Sequence, residues 1–146
     1  MAEPDEDPIG VLLEAFVNRV SHTRGRAMEF MLAASITPAQ AILLHTVLIT
    51  PDCAPSDVAA AMRLSPSSVS QMIDRLSRQG FLHRVEATDD RRRKALALSA
   101  SGQRFLDDLR ALRIGEYAAG AAGLSSATRD QLVEALYAAL AELDPR

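Results

Sequence analysis

The sequence predicts a mainly α-helical protein with one two-stranded β-hairpin between its fourth and fifth helices. Three observations carry this reading. Alanine and leucine, both strong helix formers, are the most frequent residues along the 146-residue chain. Apolar residues recur at helical spacing on both sides of the middle of the chain. Between Phe81 and Ser99 that spacing gives way to alternation around a charged, polar turn. The length suits a single domain spanning 1–146. A hydrophobic content of 48% is enough to bury an ordinary core.

The opening residues MAEPDEDP are acidic and proline-bearing, and residues 1–8 read as a flexible tail. They lack the basic start and apolar run of a signal peptide. Residues 9–32 read as one long helix, with Val11, Leu12, Ala15, Phe16 and Val20 on one stripe. Gly25 marks either a kink or a small contact in it. Thr37-Pro38-Ala39-Gln40 is a strong helix start: Thr37 caps, Pro38 suits the first position, and Gln40 can reach back to close a capping box. That helix should stop before Pro51. Pro55-Ser56-Asp57 opens the next, with Ser56 as the expected cap and the small residues of VAAAM suited to close packing. Ser65-Pro66 repeats the cap-plus-proline signal, and Gly80 is a natural stop.

Phe81–Glu86 and Arg93–Ser99 read as short strands joined by ATDDRR. Such a hairpin is too short to stand alone and must lean on the helices. Ser99 or Ser101 caps a helix of roughly 102–122, with Phe105, Leu106, Leu109, Leu112 and Ile114 on its apolar face. The last helix begins at Leu124-Ser125-Ser126 and carries the stripe Leu132, Val133, Leu136, Tyr137, Leu140 and Leu143.

Charge is unevenly spread. The chain carries −3, but Val58 to Lys94 holds eight basic and four acidic residues, leaving +4 there and −7 elsewhere. A local basic surface can bind phosphate while the whole molecule stays acidic and soluble. On the helix starting at Ser65, Val69, Met72, Ile73 and Leu76 fall on one side. Ser67, Gln71, Asp74 and Arg78 point the other way, flanked by Ser68, Ser70 and Arg75. Short hydroxyls near the N-terminus allow close approach to a groove, Gln can bond an adenine edge in two places, and Arg can do so with guanine. Taken alone, this is also an ordinary amphipathic surface helix. The context favours DNA: a small-residue helix, a tight turn at Arg63-Leu64, a second helix and a basic hairpin make up a winged helix–turn–helix. At the hairpin tip Arg91, Arg92, Arg93 and Lys94 can meet a minor groove, which attracts arginine. Asp89 and Asp90 read as local partners that orient a neighbouring arginine.

From about Thr37 to Gly102 the chain resembles the MarR family of bacterial transcriptional regulators. The segments that carry the resemblance are TPAQAILLHTV, DVAAAMRLSPSSVSQMIDRLSRQGFLHR and DDRRRKALALSASG. It implies a homodimer in which helices 9–32 and 101–143 form the dimerisation region, and residues 37–100 form the DNA-binding region. It also implies a double-stranded, pseudo-palindromic operator, and more often a repressor relieved by an effector than an activator. By that resemblance Ser67, Ser68, Ser70, Gln71 and Arg75 lie where family members contact the major groove. Asp90 and Arg92 match the family's Asp-Arg wing pattern. Arg93 and Lys94 exceed the pattern and leave open which arginine inserts. With Ser65, Arg78, Arg91 and Arg93 added, these are the candidate DNA-binding residues.

Many relatives release DNA on binding a small aromatic or anionic effector, or on oxidation of a cysteine. Arg19, His22, Arg24 and Arg26 place positive charge near where family pockets open, and read either as a solvated basic turn or as a site for a carboxylate ligand. Arg19, His22, Arg26 and His45 are the candidate ligand-binding residues, although His45, within an apolar helix, first reads as a satisfied core or interface histidine. The single cysteine, Cys53, excludes an intrachain disulfide, fits a cytoplasmic protein, and reads as a redox bystander. No metal-ligand spacing, nucleophile–base pair, glycine-rich phosphate loop or membrane-length apolar run is present, so no cofactor, catalytic activity or membrane partner is expected. The competing readings are a winged-helix module that binds an acidic protein, and a non-specific DNA binder.

Overall fold

The computed structural model describes residues 7–21 and 25–143. In chain order the elements are α1 (Pro8–Ser21), α2 (Arg26–Ala33), α3 (Pro38–Ile49), α4 (Pro55–Met62), α5 (Pro66–Arg78), β1 (Leu82–Glu86), β2 (Lys94–Leu98), α6 (Ala100–Gly120) and α7 (Ser126–Leu143). The chain forms two compact units. Gly25–Ile114 is one; the other comprises, among the described residues, 7–21 together with 115–143.

The unit from Gly25 to Ile114 is built around one core. Leu43, Leu44, Val58, Val69, Ile73 and Leu76 are fully enclosed. Burying a side chain of this kind contributes roughly 1.5–3 kcal/mol. Three of the four phenylalanines meet here: the Phe30 and Phe105 rings stack at 5.2 Å, and Phe81 tilts against Phe105 at 5.5 Å. The helix starts follow the capping chemistry. Gln40 N–H donates to Thr37 Oγ1 (3.2 Å) while Thr37 N–H donates to Gln40 Oε1 (2.9 Å), closing the expected box. Helix α4 departs from expectation. Its cap position is Ala54 rather than Ser56, because Pro55 takes the first helical position and the Asp57 carboxylate reaches back to the Ala54 N–H at 2.7 Å.

Three helix ends share one device. After α2, α4 and α5 the chain turns through a left-handed residue, Ser35, Arg63 and Gly80 respectively. In each case the next N–H reaches back into the last turn: Ile36 to Met31 (2.9 Å), Leu64 to Ala59 (3.1 Å) and Phe81 to Leu76 (2.9 Å). Only the third uses glycine.

β1 and β2 pair antiparallel, with Leu82 opposite Leu98 and Glu86 opposite Lys94. On its other edge β2 receives the loop between α3 and α4: Leu96 N–H donates to the Cys53 carbonyl at 2.9 Å. The base of the hairpin is closed by Ser99, whose N–H donates to the Phe81 carbonyl (3.0 Å) and whose hydroxyl donates to the Gly80 carbonyl (2.5 Å). The same hydroxyl accepts the Gly102 N–H (3.0 Å), so Ser99 rather than Ser101 caps α6, which begins at Ala100. Phe105, Leu106 and Leu109 of α6 are buried as expected, whereas Ile114 is 51% exposed.

Sequence spacing reads 9–32 as one helix; instead α1 ends at Ser21 and a new helix starts at Arg26. Gly25 precedes α2 in the left-handed conformation, which a continuous helix does not allow. Residues 1–6 of the expected tail lie outside the described residues. Pro8 already belongs to α1, whose Ile9 N–H is capped by Asp7 Oδ1 at 3.1 Å.

In the other unit Gly120 abuts the Val20 backbone, leaving no room there for a side chain. Val20 is buried, but Ile9, Leu12, Leu13 and Val17 on α1 are exposed. No residue of α7 is buried: Val133, Leu136, Tyr137, Leu140 and Leu143 all stand exposed. Among the described residues no single helix is long and apolar enough to cross a membrane.

Candidate nucleic-acid interface

Helix α5 buries Val69, Ile73 and Leu76 and half-buries Met72, leaving a polar face outward. Ser67, Ser68, Gln71, Asp74, Arg75 and Arg78 are exposed on it, and Ser70 is half-buried. Two serines serve the helix start. Ser65 Oγ accepts the Ser68 N–H at 3.1 Å and lies 2.8 Å from Ser68 Oγ. Ser67 and Gln71 have no such duty. Toward the C-terminus Arg78 Nε donates to the Asp74 carbonyl at 3.3 Å, which lays its guanidinium along the helix.

Asp74 is the one acidic group on this face, and it is paired. Arg84 Nη2, from β1, meets its Oδ1 at 3.3 Å. Asp74, Ser77, Arg78, Leu82, His83 and Arg84 line an open groove between helix and strand. Sequence reasoning did not place Arg84 or His83 in the site. Strand alternation puts Arg84 on the face of buried Leu82, so spacing alone gave no sign that it reaches α5.

The turn between β1 and β2 is organised by its acids. Asp90 Oδ1 accepts the Arg92 N–H at 2.9 Å, and the Asp90 carbonyl accepts the Arg93 N–H at 2.9 Å. Asp89 bonds the Arg93 guanidinium at 3.2 Å, and that hydrogen bond holds its carboxyl below the usual range. Lys94 lies 3.9 Å from Glu86 across the ladder. Arg93 also reaches Asp57 on α4, at 3.8 Å. Arg91 and Arg92 are exposed, and their guanidinium groups have no partner among the described residues. The local pairing expected of the two aspartates is therefore present, and it engages Arg93 by its side chain and Arg92 by its backbone.

The candidate ligand-binding residues fall on different elements. Arg19 is exposed on α1, Arg26 is exposed at the start of α2, and His22, with Arg24, lies outside the described residues. His45 is exposed on α3 rather than sequestered in the core, because α3 turns Leu43, Leu44 and Val47 inward instead. Cys53 is buried at 2% exposure. Burial pushes its thiol pKa up, and the Asp57 and Asp52 carboxylates push the same way. Among the described residues no three histidine, cysteine or acidic side chains are grouped to hold a metal ion.

Comparison with known proteins bears on the family and the fold. Residues 34–93 match the model of the MarR family. The HTH-type transcriptional repressor MdtR of Bacillus subtilis (strain 168) is 30% identical over 110 residues, covering 75% of this chain and 69% of MdtR. The transcriptional regulator Tm0710 of Thermotoga maritima superposes with a TM-score of 0.78 at 18% identity, over 94% of each chain. Staphylococcus aureus MepR has been solved as a mutant bound to an oligodeoxyribonucleotide (TM-score 0.66, 20% identity, 95% of this chain and 100% of that one). It has also been solved bound to ethidium bromide (TM-score 0.67, 20% identity, 97% and 100%). A mainly helical chain with a two-stranded hairpin wing is the fold these structures share. The chain belongs to the MarR family and is a DNA-binding transcriptional regulator.

Proposed function

We propose that the protein is a homodimeric repressor that reads a pseudo-palindromic operator, with α5 in the major groove and the wing tip in the minor groove. The observation that carries this reading is the division of polar groups on one unit. The exposed acids at α5 and at the turn are paired or spent on backbone, whereas Gln71, Arg75, Arg91 and Arg92 are left to face a ligand. An anionic polymer suits that arrangement better than an acidic protein does, since short hydroxyl and amide side chains add base-edge hydrogen bonding to the charge.

Dimerisation is supported by the exposed apolar side chains of α1 and α7, which a lone chain would leave in water. MdtR is named as a repressor, which supports repression here. MepR binds ethidium, which supports relief by a small aromatic effector, with Arg19, Arg26 and His45 as the residues to test first for an anionic one. A cytoplasmic location follows from this role.

The test is binding to duplex DNA by fluorescence anisotropy across salt concentrations. Arg92→Ala is expected to weaken binding to every sequence and to lower the salt slope by about 0.9. Gln71→Ala is expected to change which sequence is preferred. Equal loss on all sequences from both variants would refute this division between groove reading and phosphate or minor-groove contact.

A further inference from the structure

We propose that Arg93 is a positioning residue: it bolts the wing to the start of the helix–turn–helix and so sets how Arg91 and Arg92 are presented, without contacting DNA itself. The inference rests on the DNA-binding reading above and refines it, because three consecutive arginines at one turn cannot be told apart by charge.

Geometry separates them. Arg93 Nη2 lies 3.2 Å from Asp89 Oδ1 and 3.5 Å from Oδ2, while Nη1 lies 3.8 Å from Asp57 Oδ2. Asp57 is itself held, since the same oxygen accepts the Ala54 N–H at 2.7 Å and closes the first turn of α4. Arg93 is half-buried where Arg91 and Arg92 are exposed. To reach a phosphate it would have to leave two carboxylates.

Two more links join the hairpin to the same short stretch. Thr88 N–H donates to Asp52 Oδ1 at 3.4 Å, and Leu96 N–H donates to the Cys53 carbonyl at 2.9 Å. The segment from Asp52 to Asp57 therefore touches the wing near its tip, along its edge and at Arg93. That segment leads directly into the first helix of the helix–turn–helix. A two-stranded hairpin has little stability of its own, so its orientation has to come from such attachments. One exposed ion pair holds little. Two carboxylates converging on one planar guanidinium, beside two backbone links, leave the wing few alternative angles.

The experiment compares the wild type with Arg93→Gln, Asp89→Asn, Asp57→Asn and Arg92→Gln. It measures duplex binding across salt, and amide hydrogen exchange at Ala87, Arg92 and Arg93. The sign of the Asp89→Asn effect is decisive, because Asp57 also closes the first turn of α4. Removing a negative charge beside a phosphate-binding surface should, by charge alone, tighten DNA binding. A bolt expects the reverse: Asp89→Asn and Asp57→Asn weaken binding roughly three- to tenfold, as Arg93→Gln does, with the salt slope unchanged and exchange at the wing tip faster. Arg92→Gln is expected to lower the slope by about one and leave exchange unchanged. Tighter binding by Asp89→Asn, with a slope loss of about one in Arg93→Gln, would make Arg93 a DNA contact and overturn the proposal. If the wild type binds no duplex, the DNA reading itself falls. Exchange then decides the bolt alone, and unchanged exchange in Arg93→Gln and Asp89→Asn overturns it.

Discussion

The carboxylate of Asp74, on the exposed face of α5, meets the guanidinium of Arg84, on β1, at 3.3 Å. The pair joins the helix to the hairpin and neutralises the only acid on the face assigned to DNA. Both side chains are substantially exposed, at 61% and 47%. The pair should therefore add less than about 1 kcal/mol to folding stability. Its effect on DNA binding should be larger. Arg84→Ala leaves a bare carboxylate facing phosphates, and roughly a tenfold loss of affinity is expected. Adding Asp74→Ala to that variant should recover part of the loss. Strictly additive losses in the double-mutant cycle would show that the two residues act independently.

Arg63 turns the corner between α4 and α5 at a φ of +53°. For a residue with a Cβ that conformation costs roughly 1–2 kcal/mol, and glycine largely escapes it. Arg63→Gly is therefore expected to raise stability by several tenths of a kcal/mol up to about 1, the gain being limited by glycine's freer unfolded chain. Urea denaturation reads the change directly. A destabilised variant would mean that the Arg63 side chain makes contacts worth more than the backbone strain.

Gly102 presents the opposite case. A Cβ there would overlap the carbonyl of Phe81, the same carbonyl that accepts the Ser99 N–H. Gly102→Ala must push the start of α6 away from the base of the hairpin. A loss of about 1–3 kcal/mol is expected, visible as a lowered Tm. An unchanged Tm would show that α6 is not packed this closely.

The hairpin base and α5 were largely legible in sequence, and the reasons are local. Thr37-Pro38 and Ser65-Pro66 state a cap and a first helical residue within two positions, and Gly80 states a stop. What spacing could not supply depends on distant partners. The stop after α2 uses Ser35, a residue with no strong left-handed preference, and the break before it depends on Gly25 adopting a conformation that the apolar stripe does not reveal. The cap of α4 passed from Ser56 to Asp57 and Ala54 because a proline moved the start of the helix by two residues. At the site, the arginine-rich run identified the wing. Sorting Arg93 from Arg91 and Arg92 required Asp57, which lies far back in the chain. Arg84 was hidden by the same kind of long-range contact.

Cys53 gives a prediction with a definite pH sign. Its folded pKa is raised above the ordinary thiol value of 9.0, chiefly by burial. The folded state therefore holds the thiol proton more tightly than the unfolded state does. This contribution to stability is complete below the unfolded pKa and is lost as pH rises through the folded one. Thermal unfolding between about pH 7 and about pH 10 should show a steeper alkaline decline for the wild type than for Cys53→Ala. Thiol reagents should modify Cys53 only after denaturation. Rapid modification of the native protein would contradict the buried placement.

The most direct test of the central claim is selection of bound duplexes from a random DNA pool by the purified protein, followed by sequencing. A dimer presenting two copies of α5 should enrich an inverted repeat with half-sites about ten base pairs apart. Enrichment of a single half-site without a repeat would contradict the dimeric reading. Salt-sensitive binding with no enrichment at all would contradict sequence-specific recognition by α5.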